Sequence, residues 1–191
     1  MYDMKSYFIR GMFIMTGKHE QVKLFGNVIW LYGMSGAGKT TLGTRLAKDL
    51  NYMFIDSDYF RQVRWIKPDF TPKGRRKYQN ELRNEVARLQ LSFSPGIVVA
   101  SITPYTDMRE KNRRVFGKEY LEVLLKCDID TLIQRDPKGL YKRAMEGDLF
   151  NFTGLTDSFE EGEPHLIVYT NDGEDLSYKI LLENVRKWLN V

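Results

Sequence analysis

Short apolar runs alternate along this chain with longer segments whose apolar residues recur every three or four positions. Residues 27–32 (NVIWLY), 52–55, 96–102 (GIVVASI), 121–125 and 165–169 are unbroken or nearly unbroken apolar stretches of strand length, bounded by polar or turn residues. Such runs predict strands buried on both faces. Between them, residues 40–50, 75–92 and 175–189 carry helical spacing. In the second of these Tyr78, Leu82, Val86 and Leu89 step by four and three; in the third Ile180, Leu181, Val185, Trp188 and Leu189 gather on one side. Strands alternating with helices predict a parallel sheet covered on both faces, with ligands at the carboxyl ends of the strands.

Composition narrows this picture without redirecting it. With 191 residues and 42% hydrophobic content the chain is long enough for one domain with a real core. No repeat, low-complexity tract or linker divides it, so residues 27–191 are expected to form one domain preceded by an arm, residues 1–26. The apolar stretch 7–15 in that arm is interrupted by Arg10 and Gly11 and is far shorter than the ~20 residues of a membrane helix. No cleavage site for a secretory signal follows it. The arm is therefore expected to pack on the domain or on a partner chain. Cys127 is the single cysteine and has no partner for an internal disulfide, which points to a reducing, cytoplasmic setting and to a core role. The net charge of +4, from 29 basic and 25 acidic residues, is a mixed surface that suits an anionic ligand without implying a basic tail.

The candidate chemistry begins at the end of the first predicted strand. Gly33-Met34-Ser35-Gly36-Ala37-Gly38-Lys39-Thr40 fits G-x-x-x-x-G-K-[ST] between a predicted strand and a predicted helix, the context that this phosphate-binding loop requires. Glycines let backbone N–H groups turn in around phosphates, Lys39 reaches the outer phosphates, and the Thr40 hydroxyl suits Mg²⁺. Gly33, Ser35, Gly36, Ala37, Gly38, Lys39, Thr40 and Thr41 are thus the candidate ATP-binding set. After the second predicted strand come Asp56, Ser57, Asp58 and Arg61. One carboxylate there is placed to take the proton of an attacking hydroxyl while the arginine fixes an anionic acceptor, although Asp and Ser also serve simply as helix caps. The chemistry implied is phosphoryl transfer from Mg·ATP to a small anionic substrate. The expected fold is an α/β, P-loop NTPase three-layer sandwich with a five-stranded parallel sheet and a mobile lid.

The sequence resembles the adenylyl-sulfate (APS) kinase family from about residue 27 to the C-terminus. Its most specific stretches are residues 134–142, QRDPKGLYK, similar to the family's R-D-x-K-G-L-Y lid, and residues 151–155, NFTGL, similar to N-F-T-G-I. Ile102-Thr103-Pro104-Tyr105, followed by Arg109 and Arg113, resembles I-S-P-Y and the arginines behind it. The resemblance implies phosphorylation of the 3'-hydroxyl of adenylyl sulfate to give 3'-phosphoadenylyl sulfate. It implies that Asp58 is the base, that Asp56 supports Mg²⁺ or the hydroxyl, and that Arg61 holds the phosphosulfate. Phe70 and Phe152 would sandwich the acceptor's adenine, Arg135 would lie beside the ATP base, and Lys138 would stand near the transferred phosphate. Ile102 and Leu140 would complete the acceptor pocket. Thr103, which matches a serine that carries phosphate in some members, joins Asp58, Lys39 and Lys138 as a candidate catalytic residue, and residues 136–162 would form the closing lid. A homodimer is a further implication.

The departures cluster in the acceptor half. Asp-Gly-Asp becomes Asp56-Ser57-Asp58, and the added side chain implies a shifted backbone path or a different ligand. The pattern R-x-x-N-x-x-R aligns with Arg76 and Gln79, or with Asn80 if the register moves by one, and Glu81 stands where positive charge is usual. These changes leave open a sibling kinase acting on another nucleotide-linked acid or on a hydroxymethylated base in DNA, and, from a different class, a nucleotide-binding module without catalysis. Nucleic acid is an expected partner only under the DNA reading.

Overall fold

The computed structural model describes residues 5–9, 12–16, 26–91 and 95–191. Two short strands come first, β1 (Lys5–Ile9) and β2 (Met12–Thr16), paired antiparallel with Ile9 opposite Met12. They fall within the predicted arm, where no regular element was expected; the rest of that arm lies outside the described residues.

From Asn27 onward the chain runs β3 (Asn27–Tyr32), α1 (Lys39–Leu50), β4 (Met53–Asp56), α2 (Ser57–Val63), α3 (Pro72–Gln90), β5 (Gly96–Ala100), α4 (Thr106–Phe116), β6 (Tyr120–Lys126), α5 (Ile129–Arg135), α6 (Leu140–Met145), β7 (Leu166–Tyr169) and α7 (Glu174–Leu189). The five later strands form one parallel sheet in the order β4-β5-β3-β6-β7. Every strand predicted from an apolar run is present. The four-residue run at 52–55 and the runs at 96–102 and 165–169 shift or shorten by one or two residues at their ends.

Successive residues of a strand point to opposite faces, so a central strand that is buried on both must be apolar throughout. In β3, Ile29 and Leu31 join Val98, Val123 and Leu125 beneath α1 and α7, where Leu42, Leu46, Leu181 and Val185 pack. Val28, Trp30 and Tyr32 join Ile97, Val99 and Leu124 on the other face against Leu82 and Val86 of α3 and Phe116 of α4. Fully burying each such side chain contributes roughly 1.5–3 kcal/mol, and the two half-cores together hold the sheet flat between helical layers. Cys127 is buried in the first of them.

The lid stretch 136–162 is folded. Asp136 accepts from the backbone N–H groups of Leu140 (2.8 Å), Tyr141 (3.1 Å) and Lys142 (3.1 Å), which starts α6. Those three bonds hold the Asp136 carboxyl below its ordinary pKa against the opposing effect of desolvation. Further along, Tyr105 Oη donates to Asp157 (2.6 Å), Arg109 to the Glu160 carbonyl (2.6 Å) and Tyr32 Oη to the Glu161 carbonyl (2.5 Å). The lid is thereby tied to β3 and α4. Among the described residues no helix is long and apolar enough to cross a membrane.

Candidate active site

At the carboxyl end of β3 the chain must turn at once into α1. Gly33 has φ +151°, and a Cβ there would collide with the Leu125 carbonyl oxygen on the neighbouring strand. Only glycine permits that approach. The loop then presents Lys39 and Thr40 at the start of α1. Lys39 Nζ donates to the Met34 carbonyl (2.6 Å), and desolvation pushes its pKa down to about 8 even though Asp58 and Asp56 pull the other way. Thr40 Oγ1 donates to Asp56 Oδ2 (2.6 Å) at the end of β4. The other oxygen of Asp56 caps α2, accepting from the N–H of Asp58 (2.8 Å) and of Tyr59 (3.3 Å). Asp56 therefore performs both the capping role and the role beside Thr40.

Asp58, one residue into α2, meets Lys138 of the lid at 2.6 Å. The carboxylate raises the Lys138 pKa. Beyond this pair opens a cleft of about 950 Å³ lined by Ser35, Asp58, Arg61, Phe70, Arg75, Ile102, Lys138, Leu140 and Phe152, among others. Arg61 lies over the Tyr78 ring (3.8 Å to the centroid) and beside Phe70 (5.2 Å), with its Nε and Nη1 buried and without hydrogen-bond partners. Buried guanidinium donors without partners are costly, and a small movement of this side chain toward the cleft would offer them to an anionic ligand. Phe152 is buried and braced edge-on by Tyr141 (4.9 Å, 88°), whereas Phe70, which lines the same cleft, is half-exposed. A second recess of about 250 Å³ lies on the other side of the phosphate loop, lined by Gly36, Gly38, Thr41, Arg135 and Thr170. Arg135 is fixed there by donating to the Thr170 carbonyl (2.6 Å).

The residues test directly for a divalent cation. Among the described residues no cluster of three or more His, Cys, Asp or Glu side chains could hold a metal alone. Thr40 and Asp56 supply one hydroxyl and one carboxylate, the sparse set typical of a hard cation that completes its shell with phosphate oxygens and water. They fit Mg²⁺.

The model of one family, described as adenylylsulphate kinase, matches residues 25–169. The chain belongs to that family. The probable adenylyl-sulfate kinase of Aeropyrum pernix is 33% identical over 81% of this chain and 88% of its own length. The adenylyl-sulfate kinase of Myxococcus xanthus is 34% identical over 85% and 92%. In fold, the chain is similar to the Mycobacterium tuberculosis APS kinase solved in complex with AMPPNP and APS, at a TM-score of 0.77 and 23% identity, covering 87% of this chain and 99% of that one.

Within the adenylylsulphate kinase frame, three expectations need correction. Arg76 does not face the cleft; it pairs with Asp107 (3.0 Å) and lies over Tyr105 on the outer side of α3. Gln79 is buried behind the cleft wall, donating to Ser101 (2.7 Å). Asn80 is exposed and accepts from Arg83 (2.7 Å). The cleft residue is Arg75, which donates to the carbonyls of Phe70 (3.0 Å) and Asn151 (2.5 Å) and pairs with Asp157 (3.3 Å). One residue along a helix is a rotation of ~100°, so a one-position error of register exchanges the two faces. The inward apolar step at Tyr78 and Leu82 was the signal for Arg75, since i and i+3 share a face.

Thr103 is also misplaced for catalysis. It has φ +42° and no exposed surface, and its hydroxyl accepts from Trp30 Nε1 (2.9 Å) while its carbonyl accepts from Arg109 (2.8 Å). The left-handed backbone turns the side chain into the core, where a phosphate would not fit without local opening. Ser57 adopts ordinary helical backbone. It sits in the first turn of α2, is absent from the positive-φ residues, and is buried with its carbonyl accepting from Tyr78 Oη. Nothing at this position demands glycine.

Proposed function

We propose that residues 27–191 transfer the terminal phosphoryl group of ATP to the 3'-hydroxyl of adenylyl sulfate, giving 3'-phosphoadenylyl sulfate. The observation that carries this is the meeting of Asp58 and Lys138 at the seam between phosphate loop and acceptor cleft, with the unpartnered Arg61 donors just beyond. Kinship with adenylyl-sulfate kinases supports the choice of acceptor.

ATP lies with its phosphates in the loop 33–40 and its base in the recess beside Arg135. Lys39 holds the outer phosphates, and Lys138 follows the phosphoryl group as it moves. Mg²⁺, held by Thr40 and Asp56, would neutralise phosphate charge. Arg61, locked over Tyr78, grips the phosphosulfate, and Phe70 and Phe152 flank the adenine. Asp58 accepts the proton of the attacking hydroxyl. The lid, closed by Tyr105, Tyr32 and Arg109, keeps water from the reacting phosphate.

The test is ADP release from Mg·ATP with adenylyl sulfate, then with CDP- and UDP-linked acids, nucleosides and hydroxymethylated DNA. Turnover with adenylyl sulfate, lost by roughly 10²–10⁴-fold in kcat in Asp58→Asn with the ATP KM little changed, is expected. Silence with adenylyl sulfate and release with another acceptor would overturn the substrate and keep the kinase.

A further inference from the structure

The outer rim of the acceptor cleft carries aromatic rings that the reaction described so far does not use. Trp65 is 93% exposed and Phe150 78% exposed, and both line the same cleft as Phe70 and Phe152. They stand on separate parts of the chain: Trp65 on the turn after α2, Phe150 in the lid after α6. Tyr59, at 66% exposure, continues the rim.

Trp65 is held in an unusual way. Its φ is +54°, a left-handed backbone that bulky L-residues rarely adopt. The turn is fixed by two backbone bonds, Trp65 N–H to the Gln62 carbonyl and Ile66 N–H to the Arg61 carbonyl, both 3.1 Å. The segment that strains Trp65 therefore also fixes Arg61. Arg61 lines the cleft from α2, with two guanidinium donors buried and without partners. The end of α2 and the turn after it thus bring a cation and a large flat ring to one cavity. Strain of this kind persists where surrounding structure enforces it, and it collects at ligand clamps. A nearly fully exposed tryptophan beside such a group has unfavourable contact with water until something flat covers it.

We infer that Trp65 and Phe150 are specificity-determining residues, outer walls that meet the edge of the acceptor's base where it projects from between Phe70 and Phe152, while Arg61, in the helix before the Trp65 turn, holds its anionic group. The inference rests on the reading of the acceptor as adenylyl sulfate. Both faces of the planar base are taken by the inner pair, so the rim rings contact its edge in the T-shaped geometry that aromatic rings favour.

Steady-state kinetics with adenylyl sulfate and ATP on wild type, Trp65→Ala, Trp65→Phe and Phe150→Ala test it. Both side chains are exposed, so their loss leaves the core intact. In Trp65→Ala the KM for adenylyl sulfate is expected to rise about tenfold while that for ATP stays constant, and Trp65→Phe should recover most of the loss. Phe150→Ala should show the same split. Adenylyl sulfate should shift wild-type tryptophan emission to the blue, and Trp65→Phe, which keeps Trp30 and Trp188, should abolish the shift. An acceptor KM within about twofold of wild type in Trp65→Ala overturns the inference. So does an emission shift that survives Trp65→Phe, or a change of assembly state with no change in KM. A wild-type protein that does not turn over adenylyl sulfate overturns the acceptor assignment instead, and this inference with it.

Discussion

Lys39 is enclosed by the loop that it serves, and desolvation outweighs the attraction of Asp58 and Asp56, leaving its pKa at about 8 against an ordinary 10.5. Between those two values the unfolded chain holds the proton more firmly than the fold does. This residue's contribution therefore makes the ligand-free protein more stable as pH rises from about 8 toward 10.5. A polyphosphate needs the cation and restores it. Calorimetric titration with ATP at a pH just above 8, in buffers of different ionisation enthalpy, should register proton uptake on binding that is absent in Lys39→Met. Weakening of ATP affinity across the same rise in pH is the companion result. Lys39 itself was legible in the sequence because the loop motif dictates its position residue by residue. Trp65 was not, since a strained backbone and a shared cavity leave no mark in spacing.

The lid and α3 show what a single element adds. The phosphate loop and the lid touch at Met34 and Gly154, where φ is +93° and a Cβ would strike the Met34 sulfur. Gly154→Ala is expected to destabilise the protein by ~1–3 kcal/mol and to raise hydrogen exchange along residues 150–158, with Met34→Ala in the same chain returning part of the loss. Thermal and exchange measurements on the single and double variants check this. The family resemblance marked residues 136–162 as a lid, but not that Asp136 would nucleate a helix inside it. That depends on one carboxylate reaching three backbone donors. In α3 the helix was legible and its register against the cleft was not. Arg75 and Arg76 are alike in sequence, and only packing of Tyr78 and Leu82 selects which one faces inward.

Across the whole molecule, the sheet carries one charged group in its depth. Glu122 of β6 has no exposed side-chain surface and lies 3.1 Å from Arg109 Nε and 3.0 Å from Arg113 Nε. Burial raises its pKa, and the two guanidiniums oppose that rise. Those arginines also bind the carbonyls of Glu160 in the lid and of Glu163 just after it, so the core ion cluster and the lid share an anchor in Arg109. Glu122→Gln should cost on the order of 3 kcal/mol in urea unfolding, because two desolvated cations lose their counter-charge. The layers needed little beyond the apolar runs, since strands apolar on both faces require cover on both; the strand order did not follow from them. This cluster was beyond such reading: a lone glutamate in an apolar run gives no hint of two arginines reaching it from α4.

The contact between Asp58 and Lys138 at 2.6 Å also bears on how the protein idles. Under the proposed role of Asp58 as base, its carboxylate is engaged by the ammonium and is not free to activate a stray water beside bound ATP. Futile hydrolysis should stay low until an acceptor hydroxyl arrives to take the ammonium's place.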